Sequence, residues 1–229
     1  MICGESYIKR LSAWAPGLRN LSEWNEWAGG SREMCQGSEN PDIAFTDPLL
    51  RRRLSQISKM TIQVVHDLLP LHDDTKIVFL SFRGELSKQY KINKMQIEEG
   101  TITPAAFSFS VFNTPVAVAS MALGLKGGYT AIYPGENSFN AGLKTASAAL
   151  HSGVPEELVF VYADEEVPEE YAYLLSERPS PFAFGLLLNR ISGHVPLSSL
   201  TEAEGTCQIQ TPLAYLKSLL LSGKLHVPP

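Results

Sequence analysis

The sequence predicts an α/β protein on three observations: strand-length apolar runs alternate with helix-period segments, the strands are apolar at nearly every position, and several helices open on a capping residue followed by proline. Runs such as KIVFLSF (76–82), ELVFVYAD (157–164) and PFAFGLLLNR (181–190) lack the alternation of a half-solvated strand. Both faces of their sheet must therefore be covered.

In chain order, YIKRLSAWA (7–15) reads as a first strand. LSEWNEWAGG (21–30) reads as a short helix, with Trp24 and Trp27 three apart as packing residues, ended by glycines. The Gly-, Ser- and Asn-rich stretch 30–45 is a loop. A helix is expected from Asp47, which caps the free amides, through Pro48 at the first position to the stop at Pro70. Its stripe is Leu50, Leu54, Ile57, Val64, Val65 and Leu68. After the strand 76–82, the segment 84–100 reads as a polar surface helix. Thr114 and Pro115 open a helix of small and apolar residues ending at Gly124. GYTAIY (128–133) is a strand, PGENS a turn, and FNAGLKTASAALHSG a second small-residue helix closed by Gly153. The strands 157–164 and 181–190 follow, and TPLAYLKSLLLSG (211–223) is a last helix with the same Thr-Pro opening.

Composition narrows the class. At 44% hydrophobic and 19% charged residues the chain reads as an ordinary globular protein, taken as a single domain over 1–229. A net charge of −5 gives no support for nucleic-acid binding. The one basic run, Arg51-Arg52-Arg53, reads as a solvated helix face. Cys3, Cys35 and Cys207 are few, distant and without CxxC spacing, so neither a disulfide framework nor a zinc site is expected. Cys3 and Cys207 read as buried, inert thiols. The N-terminus has no signal-peptide core and no stretch is long enough to span a membrane, so a cytoplasmic location is expected. No motif asks for a cofactor or metal.

Chemistry is expected at the strand–turn–helix of 128–153. A sharp turn there places a side chain at a helix N-terminus, where free amides and the helix dipole favour an anion. Ser138 reads as a helix cap: GENSFNAG does not match G-x-S-x-G, and His151 lies about 20 Å along the same helix. His194 reads as a loop residue, His226 as a solvated one, and the acidic run DEEVPEEY (164–171) as a charged loop facing solvent.

The segment 107–164 resembles the N-terminal half of the β-ketoacyl synthases of fatty-acid and polyketide assembly. The resemblance rests on Asn113, LKGGYTAIY, Phe139-Asn140-Ala141-Gly142, LKTASAALHSG and ELVFVYAD. The W-x-P-G of Trp14 to Gly17, the W-x-x-W of Trp24 to Trp27, and FSFSV before Asn113 make it similar to the short, chain-length-factor-like proteins of aryl-polyene clusters. The resemblance implies a thiolase-like half-fold: a mixed central sheet with helices on both faces, lacking a complete C-terminal half. It puts Phe139 at the nucleophile position, where no thioester can form. It implies a non-catalytic partner of a full-length ketosynthase that shapes an acyl tunnel with Phe112, Met121 and Phe139. The partner would pair at the strand of Tyr129, Thr130, Ala131, Ile132 and Tyr133. An acyl carrier protein would be engaged only indirectly, through the ketosynthase. Two alternatives stay open: an active synthase or acyltransferase, with Ser138 at the elbow if the register shifts by one, and an independent acyl- or carrier-binding homodimer.

Overall fold

The structure, a computed structural model, describes residues 5–135, 137–152, 156–197 and 211–224. Its centre is a six-stranded mixed sheet formed by β1 (Tyr7–Trp14), β2 (Lys76–Leu80), β3 (Tyr129–Ile132), β4 (Glu157–Asp164), β5 (Phe182–Asn189) and β6 (Val195–Pro196). The order is β3-β2-β4-β5-β1-β6. β3, β2 and β4 run parallel, while β5 is antiparallel to both β4 and β1.

The helices are α1 (Leu21–Ala28), α2 (Pro48–Arg51), α3 (Gln56–His66), α4 (Leu86–Glu99), α5 (Pro104–Ser108), α6 (Thr114–Ala122), α7 (Ser138–His151) and α8 (Pro212–Leu221). α1, α7 and α8 cover one face of the sheet over Val78, Leu80, Phe160, Phe184 and Leu186. α3 and α6 cover the other over Ile77, Phe79, Val159, Val161 and Leu187. Two covered faces are why these strands read as continuous apolar runs. α7 reaches its face closely because Gly142 has no side chain: a Cβ there would meet Leu80 and Phe160 at 3.2 Å.

Most elements follow the sequence expectation within a residue or two, and Trp24 packs as expected. It is 1% exposed, and its indole N–H donates to the Ala13 carbonyl at 3.1 Å. One expectation fails. The single helix from Asp47 to Pro70 is two helices, broken at 52–55. Asp47 does accept the Leu50 N–H at 2.8 Å, but α2 stops at Arg51. Ser55 then starts α3 as a new cap: its hydroxyl accepts the Ser58 N–H and donates to the buried Glu85. α5, a 3-10 turn at Glu169–Leu174 and the two-residue β6 were not expected. α5 carries the Thr-Pro opening seen elsewhere, with Thr103 capping Ala106, but it is too short to show a period. Gly153, Cys3, Cys207 and His226 lie outside the described residues.

The outward faces of α1, α7 and α8 are polar: Asn25, Glu26, Lys144, Thr145, Lys217 and Ser218 are exposed. The described residues therefore close as three layers, helix–sheet–helix, with solvent-facing helices on this side.

Candidate functional site

The parallel strands β3, β2 and β4 end together, and the polar groups gather at that end. There β3 turns sharply into α7. Asn137 takes the left-handed conformation (φ 55°, ψ 26°), uncommon for a residue with a side chain. Such strain clusters where a fold must aim a side chain. Ser138 is the first helical residue and not the cap; its N–H donates to Gly135 at 3.2 Å, and it is 6% exposed. A cavity of about 280 Å³ opens here, lined by Phe82, Pro134, Asn137, Ser138, Phe139 and Thr211 among others.

Phe139 borders this cavity but is only 2% exposed. Its ring lies 5.2 Å from that of Tyr215 and 6.1–6.3 Å from those of Phe160, Tyr162 and Phe184, in each case near edge-to-face. The side chain at the elbow is thus part of the core. Burial holds the Tyr215 phenol well above its usual range, and the hydroxyl has no partner among the described residues.

The other expected tunnel residues lie across the sheet. Phe112 is half-buried, against Phe79 at 6.3 Å and Tyr133 at 4.7 Å. Met121, on α6, is 68% exposed. One subunit does not bring Phe112, Met121 and Phe139 to a common wall. The strand residues Tyr129, Thr130, Ala131 and Ile132 form β3, the outermost strand, with Tyr133 just beyond it and 74% exposed. Asn113 donates to the Tyr129 hydroxyl at 2.9 Å. β3 pairs on one side only, beside the exposed apolar side chains of Met121, Tyr129 and Tyr133.

The acidic run 164–171 is not simply a solvent-facing loop, which corrects the sequence expectation. Asp164 and Glu165 are 0% and 2% exposed. Asp164 accepts the Ser81 hydroxyl at 2.6 Å, the Phe82 and Arg83 N–H groups at 3.1 and 3.0 Å, and the Tyr162 hydroxyl at 2.6 Å; it also pairs with the Arg83 guanidinium at 3.2 Å. Glu165 bridges two helix N-termini, accepting the Ser87 N–H of α4 at 2.8 Å and the Ile57 N–H of α3 at 3.4 Å. Nearby, Glu85 accepts the Ser55 and Ser58 hydroxyls at 2.8 and 2.5 Å, and its second oxygen has no partner among the described residues. Sequence reasoning missed these carboxylates. The one local hint was an acidic residue ending an otherwise apolar strand.

Burial, reinforced by the Glu165 charge, pushes the Glu85 carboxyl up to about 7. The folded protein then holds a proton that the unfolded chain releases near 4.5, so stability falls as pH rises from about 4.5 through 7 and is flat above. Glu85→Gln should shrink that slope, leaving the part that comes from Glu165, whose carboxyl burial also raises, and stabilise the protein by about 3 kcal/mol at pH 8. Urea unfolding at pH 5 and pH 8 measures it, and an unchanged pH dependence would refute the assignment.

Two described histidines have other contacts. His151 bonds the Ser6 hydroxyl at 3.3 Å, which itself meets Ser147 at 2.8 Å, and His194 is exposed, with its backbone on Ile8. No cluster of metal-ligating side chains occurs among the described residues, and none of their helices is long and apolar enough to cross a membrane.

Residues 24–220 match the family model of the β-ketoacyl synthase N-terminal domain. The chain belongs to the β-ketoacyl synthase N-terminal-domain family. Its fold is the thiolase-like ketosynthase fold, in half-size form. A chain of the ketosynthase (ApeO)–chain length factor (ApeC) complex from Xenorhabdus doucetiae is similar at 25% identity and TM-score 0.71, over 94% of this synthase-family chain and 91% of that one. The ishigamide ketosynthase/chain length factor (TM-score 0.65) and a type II polyketide synthase ketosynthase–carrier complex, AntDE:AntF (0.59), are each 13% identical over 82% of this chain. The chain spans 63% and 64% of those two, less than two thirds of their length, and the likeness there is one of fold. No curated protein matches the sequence.

Proposed function

We propose that this chain is a non-catalytic, chain-length-factor-like subunit that completes a heterodimer with a ketosynthase in polyketide or aryl-polyene assembly. The observation that carries the proposal is the core-packed Phe139 at the elbow, where a condensing enzyme needs an exposed nucleophile. The likeness to a chain of a ketosynthase–chain length factor complex over nearly the full length of both supports it. In this reading the ketosynthase supplies the chemistry, and β3 adds to the partner's equivalent strand. Phe112, Tyr133 and Met121 then sit near the seam and help wall the acyl chain, while Phe139 closes this subunit's own elbow. The assembly works in the reducing cytoplasm and meets carrier-borne acyl chains through the ketosynthase.

Co-expression with the ketosynthase, with a tag on one chain, should yield an equimolar complex by size-exclusion chromatography with mass determination. A homodimer that ignores the ketosynthase overturns the proposal, as does an acyl adduct mapped to this chain. Met121 and Tyr133 project into solvent, so Met121→Glu with Tyr133→Lys should leave the fold intact. The same pair of changes should weaken the complex about tenfold or more, read by sedimentation.

A further inference from the structure

The chain carries a second candidate interaction surface, which shares no residue with β3. A cleft of about 540 Å³ lies between the start of α3, the first turns of α4 and the segment after β4. One wall holds Arg52, Lys59, Lys88 and Lys91. Lys88 donates to the Arg53 carbonyl at 2.9 Å, which ties α4 to the turn after α2. Among the described residues, none of these four cations has a carboxylate within 4 Å, and all four line the same cleft. Their crowding shows on Lys59: burial, then Lys88 and Arg51, lower its ammonium from the usual range.

The facing wall is acidic and only partly engaged. Arg178 holds Glu166 at 3.2 Å and also Glu169, Glu170 accepts the Tyr90 hydroxyl at 2.8 Å, and Glu165 is taken by helix amides. The cleft is therefore two-signed: four unpaired cations lie on one side, and on the other Glu170 has no cation within 4 Å among the described residues. A compact polyphosphate or nucleic-acid strand would meet the carboxylates of the far wall. A protein surface can present both signs. A chain of net charge −5 also repels acidic partners at long range, so this local cluster is what selects one.

We infer that the α3–α4 cleft docks a protein surface of matching polarity, one that brings carboxylates to Arg52, Lys59, Lys88 and Lys91 and a basic side chain toward Glu170.

The test uses the full chain and a fluorescein-labelled helical peptide with glutamates along one face and two arginines along its edge, read by anisotropy at about 50 mM salt. Lys88→Glu with Lys91→Glu should weaken binding about tenfold or more. Lys144→Glu with Lys217→Glu, on the outer faces of α7 and α8, should change it less than about twofold. Equal losses in both variants, tighter binding of inorganic tripolyphosphate than of the peptide, or no peptide binding would each overturn the inference. Circular dichroism of both variants verifies that the fold is kept.

Discussion

Asp164→Ala is expected to lower the unfolding free energy by about 3–5 kcal/mol, read as a fall in the urea midpoint at unchanged slope. The carboxylate is fully buried and gathers the Ser81 hydroxyl, two backbone N–H groups, the Tyr162 hydroxyl and the Arg83 guanidinium. Alanine leaves these donors without an acceptor in a site that water does not reach. Asp164→Asn keeps the oxygen that serves Ser81, Phe82 and Arg83, but turns an N–H₂ toward Tyr162 and Arg83, which are themselves donors. It should therefore lose about 2–3 kcal/mol. Because Phe82 lines the elbow cavity, the alanine variant should also loosen that wall, visible as faster amide exchange at 81–84. A midpoint within error of the parent would show that the cluster contributes nothing.

Phe139→Ala should cost about 3–5 kcal/mol, because a buried ring is removed from a cluster of four other aromatics. Phe139→Leu, which keeps most of the volume, should cost about 1–2 kcal/mol. Phe139→Cys tests the chemistry. A thiol at this 2% exposed position faces the core, and His151 is already bonded to Ser6. It should stay unacylated by a thioester donor and react slowly with iodoacetamide. A stoichiometric acyl adduct on that cysteine would mean that the elbow remains a working acyl site.

Much of the fold was legible because its signals are local. Asp47 and Thr211 cap the helices they precede, and β2, β4 and β5 are apolar at almost every position. The break before α3 was not legible: Ser55 becomes a cap only when Glu85, thirty residues on, comes to meet it. The same holds for Asp164 and Glu165. In DEEVPEEY they look like solvated charges, and only Ser81, Arg83, Ile57 and Ser87, far away in sequence, draw them inside. At the elbow, the family resemblance put Phe139 at the nucleophile position from its spacing to Gly142. It could not say that the ring turns inward, since Phe160, Tyr162, Phe184 and Tyr215 come from β4, β5 and α8. No local pattern puts β3 at the rim of the sheet, because strand order depends on how the crossovers pack; only the resemblance, which pairs that strand with a partner, implied an edge.

The two rims of that sheet are unlike. β3 offers its full length, whereas the opposite rim ends in β6, which covers only Tyr7 and Ile8. Farther along β1 the Trp24 indole occupies the Ala13 carbonyl, and Lys9 is tied to Glu157. Fibre growth by strand addition needs a template at both ends of each unit. Among the described residues β3 alone offers one along its full length, so strand addition is expected to stop at the first pairing event.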